Sequence, residues 1–273
     1  MLCAFIVLGL AAASAAYILP AKQILAFMIR QFGSGRTLMV SQKTVLYDPR
    51  LEGGMQELDE TLYYGYPDRF RSEVMAPGVE QIRVINTDGA LIVHNGKIIG
   101  EMENPFDHFK DLLLYRETEL LVGRLSQLGI NFEVVSLGRF KDKIAYVIGA
   151  RYPDESVPQA WIDKKSFRPV RFIVRGDDGK DVPSREIQYT DYRPLDKGKS
   201  YPARMLFFEN GTLVRMHVLK TFKINPAVPD QLFDIAYIKS MYEPIASTQP
   251  TPLPASELDE VKKSIQDFKK IFE

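Results

Sequence analysis

Residues 79–100 read VEQIRVINTDGALIVHNGKIIG. Three short runs rich in Val and Ile are separated by Asp88-Gly89 and Asn95-Gly96, dipeptides that supply the positive φ angles of tight type I′ hairpins. Two hairpins in succession mean an antiparallel meander, because parallel neighbours need a long crossover between them. This stretch sets the fold class as mainly β.

Outward from it, the period of two persists. Strands are expected at 37–47, 56–66, 69–76, 79–86, 90–94 and 97–102, then at 131–138, 143–150, 157–163, 168–176, 184–193, 203–209 and 212–224. Asn210-Gly211 marks another tight hairpin, and Asp177-Asp178-Gly179 suits a longer loop. This spacing is that of a sandwich or barrel.

Two segments break the pattern. Residues 20–32 place Ile24, Leu25, Met28, Ile29 and Phe32 on one helical face, with Gly33-Ser34-Gly35 as the stop. Residues 105–130 carry Leu112, Leu113, Leu120, Leu121, Leu125 and Leu128 at helical spacing, with Gly129 as a C-terminal stop. This insert either lids a barrel mouth or packs under the sheet.

The ends are read separately. Residues 1–16 form an expected signal peptide, an uncharged apolar run ending in small residues around Ala13-Ser14-Ala15-Ala16; an uncleaved membrane anchor is the alternative. A folded domain is expected over 17–242. Residues 243–256 hold four prolines and read as an extended linker. Residues 257–273 form an amphipathic helix whose stripe is Leu258, Val261, Ile265, Phe268 and Phe272.

The chemistry is sparse. The single cysteine, Cys3, lies in the apolar leader, so disulfides and thiolate chemistry are excluded from the rest. The three histidines (His94, His108, His217) lack metal-ligand spacing. His94 is expected as an exposed hairpin residue, and His217 as part of the polar face of its strand. Acidic pairs such as Asp59-Glu60 are expected at solvated edges. No nucleophile elbow, P-loop or dinucleotide fingerprint occurs. The 35 basic and 35 acidic residues cancel, which argues against nucleic acid as a partner. No enzyme activity, cofactor or metal is expected. Instead, apolar residues face both ways along several strands, as in the adjacent pairs Phe207-Phe208, Ile98-Ile99 and Tyr63-Tyr64, while Val170, Phe172 and Val174 share one face of theirs. This fits a curved sheet packed on one side and lining an apolar cavity on the other.

Three stretches resemble a known family. Glu60 to Arg71 (ETLYYGYPDRFR) resembles the aromatic strand, proline and phenylalanine signature of periplasmic outer-membrane lipoprotein carriers of the LolA type. Gln159 to Pro169 (QAWIDKKSFRP) is similar to that family's Trp-x-Asp hairpin, and Ile224 to Phe233 (INPAVPDQLF) to its closing strand. The resemblance runs in order over roughly residues 20–240. It implies an unclosed antiparallel β-barrel, a half-barrel with a helical lid, here followed by the C-terminal amphipathic helix.

The resemblance also implies a monomeric periplasmic carrier. It would shield acyl chains of lipoproteins or lipids, loaded by an inner-membrane transporter and delivered to an outer-membrane acceptor. A lipid-sensing module that regulates a membrane partner is the alternative. The expected cavity contacts are Leu62, Phe70, Ile82, Val84, Leu121, Trp161, Phe172 and Phe207. One departure stands out: the family's arginine before the first proline is Tyr66 here.

Overall fold

The computed structural model describes residues 18–32, 35–175, 184–195 and 199–245. The expected signal peptide, the 177–179 loop, most of the linker and the C-terminal helix lie outside these residues.

Among the described residues fourteen strands form one sheet: β1 (Thr37–Tyr47), β2 (Met55–Gly65), β3 (Arg69–Ala76), β4 (Val79–Asn86), β5 (Gly89–His94), β6 (Lys97–Gly100), β7 (Val135–Phe140), β8 (Lys143–Ile148), β9 (Gln159–Asp163), β10 (Pro169–Val174), β11 (Arg185–Pro194), β12 (Ser200–Glu209), β13 (Thr212–Ile224) and β14 (Glu243–Pro244). Their order is β14-β6-β5-β4-β3-β2-β1-β13-β12-β11-β10-β9-β8-β7. Two antiparallel meanders, β1–β6 and β7–β13, are thus joined by the long β1–β13 pairing, Leu38 opposite Ile224 through Leu46 opposite Arg215. The edges do not pair with each other, so the barrel stays unclosed.

Two of the three expected I′ turns carry the required angles. Asn95 and Gly96 have φ of 45° and 74°, and Asn210 and Gly211 have 47° and 81°. The Asp88-Gly89 turn differs. Asn86 pairs with Gly89, so the central residues are Thr87 and Asp88, and neither has positive φ. There the Asn86 side chain accepts a hydrogen bond from the Asp88 amide at 2.7 Å and holds the turn in another form.

The topology explains the helical insert. β6 and β7 lie at opposite ends of the sheet, apart from the two-residue β14, so the chain between them must cross its concave side. That crossing consists of a 3-10 turn (Pro105–Lys110), α2 (Asp111–Leu114) and α3 (Thr118–Gln127). Asn104 caps it by accepting from the Phe106 amide at 2.9 Å. Together with α1 (Ala21–Arg30), it buries Phe106, Phe109, Leu112, Leu113, Leu121, Ile24, Leu25 and Met28 in the main core.

The convex side has its own cover, α4 (Ile235–Met241), a helix the periodicity did not signal. Its Ile235 and Ile238 pack on Ile82, Val84, Leu91 and Val93. The stretch expected as a closing strand is not one beyond Ile224. Asn225 takes a φ of 51° and its Oδ1 accepts from the Arg36 amide at 2.8 Å, stitching the chain to the start of β1. The first two residues of the expected linker, Glu243 and Pro244, pair parallel with β6. Among the described residues no helix is long and apolar enough to cross a membrane.

Candidate functional site

Period-two alternation decides which expected cavity residues meet. Leu62, Phe70, Leu121, Phe172 and Phe207 all join the main core on the concave side. Ile82, Val84 and Trp161 do not. Ile82 and Val84 lie under α4, and Trp161 packs with Ala145, Val147, Ala150 and Val170 on the convex side. Trp161 is held there tightly: a Cβ at Gly138 would stand 2.7 Å from its ring.

Side chains of the crossing segment and α1 pack against the concave side. The crevice lined by Phe106, Val174, Ile187 and Phe207 has no room for a water molecule. Phe109 fills the centre, with its ring centroid 6.1 Å from Phe70, 5.8 Å from Phe207 and 5.0 Å from His217. Its carbonyl accepts the Tyr189 hydroxyl at 3.0 Å. In this closed state, Glu at Phe70 or Phe172 would be a buried charge and would cost stability as well as binding.

A buried polar band crosses the same face. Glu60 follows Leu58 and precedes Leu62 at period two, so it must point inward with them. The expectation of a solvated acidic pair fails for Glu60 for that reason. Its carboxylate accepts from Ser72 (2.5 Å), Arg83 (2.7 Å), Gln42 (2.8 Å) and Thr44 (2.5 Å), drawing on β1, β3 and β4. Burial pushes this carboxyl up, but Arg83 and the Ser72 and Thr44 hydroxyls outweigh it and bring it to about 2.

Arg83 also faces the lid. Its Nε lies 3.2 Å from the Asp107 carboxylate, yet neither group is aligned for a hydrogen bond. Burial raises the Asp107 carboxyl, since Arg83 only partly compensates. The lid therefore docks onto the sheet through aromatic contacts, the Tyr189–Phe109 hydrogen bond and one ill-satisfied ion pair, whose desolvation cost offsets its attraction. Within the lid the pairing is dense. Lys110 bridges Glu103 and Asp111, and Arg124 bonds Asp111 (3.0 Å) and Glu103 (2.5 Å). Glu103, His108 and Asp111 could in geometry hold a metal ion, but two cationic side chains already stand among them. The lid is thus stapled to itself more firmly than to the sheet.

Arg116, at the lid's turn into α3, lies with its guanidinium carbon 3.9 Å above the Tyr66 ring and 4.9 Å from Phe32. Where the resemblance expects an arginine before Pro67, an aromatic ring stands in the β2–β3 turn and the cation comes from the lid.

His217 is 1 % exposed, set between Phe207 and Phe109 rather than on a solvated face. Neither ring nitrogen has a hydrogen-bond partner among the described residues, although Nε2 stands 3.9 Å from the Glu60 carboxylate, and burial brings the imidazole down to about 3. His94 is half-buried, not exposed. The sign of the pH effect follows. Native His217 stays neutral, while the unfolded chain takes up its proton below the ordinary value of 6.5. Its contribution is complete above pH 6.5 and is lost as pH falls towards 3, on the order of a few kcal/mol in all. Glu60 adds acid loss only below its ordinary 4.5. His94, also lowered by burial, titrates in the same upper window, and raised Asp107 has the opposite sign. Urea midpoints between pH 6.5 and 4.5 should therefore fall more steeply for the native chain than for His217→Leu. Equal slopes would contradict a buried neutral imidazole.

Solved structures share this architecture. A LolA superfamily protein of Nitrosomonas europaea superposes with a TM-score of 0.55 at 12% identity, covering 81% of this chain and 100% of that one. The fold is that of the LolA superfamily. A domain of Vibrio parahaemolyticus named as an outer-membrane lipoprotein-sorting protein gives 0.54 at 10% identity, over 80% and 97% of the two chains. A DUF1329-family protein of Desulfovibrio piger gives 0.51 at 11% identity, over 81% and 99%. No family model and no curated protein matches the sequence. The crossing lid, the polar band, Arg116 and α4 are described from this chain alone.

The polar band was missed because each of its residues is unremarkable alone. The available signal was parity: Glu60, Arg83 and His217 share strand faces with Leu62, Ile85 and Leu219, all of which are buried.

Proposed function

We propose that this protein is a periplasmic carrier that shields acyl chains of lipoproteins or lipids, taking them from an inner-membrane transporter to an outer-membrane acceptor. The observation that carries the reading is the lid: an internally stapled unit whose aromatic side chains fill an otherwise apolar concave face. If the lid swings out, Leu62, Phe70, Phe172 and Phe207 offer hydrocarbon chains the same apolar contact that Phe106 and Phe109 now give. Each methylene removed from water is worth about 0.8 kcal/mol, so a bound chain can replace the lid's own burial. Leu121, on α3, would move with the lid. The similarity in fold to a domain named for lipoprotein sorting supports this reading.

Hydrogen exchange tests it. On adding a triacylated lipopeptide, amides of residues 105–127 should lose protection while those of β1, β2 and β13 keep theirs. Unchanged protection at saturating lipopeptide would sink the carrier reading.

A further inference from the structure

A recess of about 290 Å3 lies beside the β1–β2 turn, away from the centre of the concave face. Leu46, Leu51, Val214 and the lid's Phe106 form its apolar wall, and Asp48, Arg50, Glu209 and Arg215 bring charge to it. Three of these charges are answered within the chain. Arg50 binds Asp48 through both nitrogens of its fork, and Glu209 accepts from Arg185 at 2.8 Å.

Arg215 has carboxylates in its neighbourhood but none in direct contact among the described residues. It is 3 % exposed, its side chain forms no hydrogen bond or ion pair among the described residues, and it rests on Phe106 with its guanidinium carbon 4.2 Å from the ring centroid. Its Nε is buried without a partner. Burial, with the like charge of Arg83 nearby, brings it down to about 10 against the partial opposition of the Glu60, Asp107 and Glu209 carboxylates, so it remains a cation at neutral pH. A buried guanidinium with no acceptor is costly, and five donors in a planar fork suit an oxyanion.

We infer that this recess seats the oxyanion head, carboxylate or phosphate, of a single-chain amphiphile, with Arg215 as its counter-ion and Phe106, Leu46 and Val214 against the first methylenes. The size fits a head group and a short length of chain, at the lower end of ligand pockets. The inference rests on the carrier reading for the tail but not for the head. Because Phe106 belongs to the lid, an occupied recess would also link head-group binding to lid position.

Calorimetric titration of the full chain with decyl phosphate, decanol and inorganic phosphate tests it. Decyl phosphate should bind at least about tenfold tighter than decanol, as a charge-assisted contact requires, and the difference should collapse in Arg215→Met. Thr212→Trp, which narrows the recess and leaves the arginine, should give the same collapse, so a poorly folding Arg215→Met does not decide the matter alone. If inorganic phosphate binds as tightly as decyl phosphate, the amphiphile part is overturned and a free anion is the ligand. Equal binding of decyl phosphate by the native chain and both variants overturns the site altogether. Binding of decanol without preference for decyl phosphate overturns the head-group seat but leaves the carrier reading standing; failure of both decyl ligands overturns both.

Discussion

Replacing Arg83 with Met should destabilise the protein by about 3–5 kcal/mol, the cost of leaving a buried carboxylate without its cation. Glu60 is 2 % exposed and would keep only Gln42, Thr44 and Ser72 as donors. Its carboxyl, now brought to about 2, would rise, because Arg83 is the strongest opposing influence on its burial. The two effects are separable. In denaturant titrations at pH 7 the midpoint should fall sharply, and the loss should shrink below pH 4.5, where a neutral Glu60 no longer needs the guanidinium. The double change Arg83→Met with Glu60→Gln should recover much of the loss, since an apolar–neutral pair leaves no buried charge. A single variant within about 0.5 kcal/mol of the native chain would show that Glu60 is not ionised in the core.

Phe109→Ala should cost about 3–5 kcal/mol in the unliganded protein and at the same time strengthen acyl binding. The cost follows from its complete burial among Phe70, Phe207 and His217, where truncation leaves a void. The gain follows from the lid: without this ring the void lies where a chain would go, and displacement of the lid surrenders less contact. A long-chain alcohol or acylated peptide should then raise the thermal midpoint of the variant more than that of the native chain, as linkage demands of tighter binding. An ordinary core phenylalanine gives only the first half of this result. Destabilisation without any ligand rescue would mean that the lid is simply part of a permanent core.

Both predictions concern groups that the sequence presents without emphasis. Glu60 reads as half of an acidic pair, yet its neighbours Leu58 and Leu62 fix its parity, and parity fixes which way a strand residue points. Trp161 reads as a prime apolar contact, yet it stands on the other face, against Gly138. Residue type says what a side chain can do. Which side of the sheet it joins depends on the registers of both neighbouring strands.

Local physics was enough for the strands and their turns. Period-two apolar runs and Asn-Gly pairs act over a few residues, so β3, β4 and β13 appear where the pattern puts them, and Asn95-Gly96 and Asn210-Gly211 take the angles their chemistry favours. What local physics could not supply was the pairing of β1 with β13, across some 180 residues, or the placement of β6 and β7 at opposite edges. That topology sends the 105–127 segment across the concave face and fills it. It also gathers Glu60, Arg83, Asp107 and Arg215 from distant stretches into one buried neighbourhood. Long-range pairing reflects the burial of a whole face at once, and no short window of sequence contains that sum.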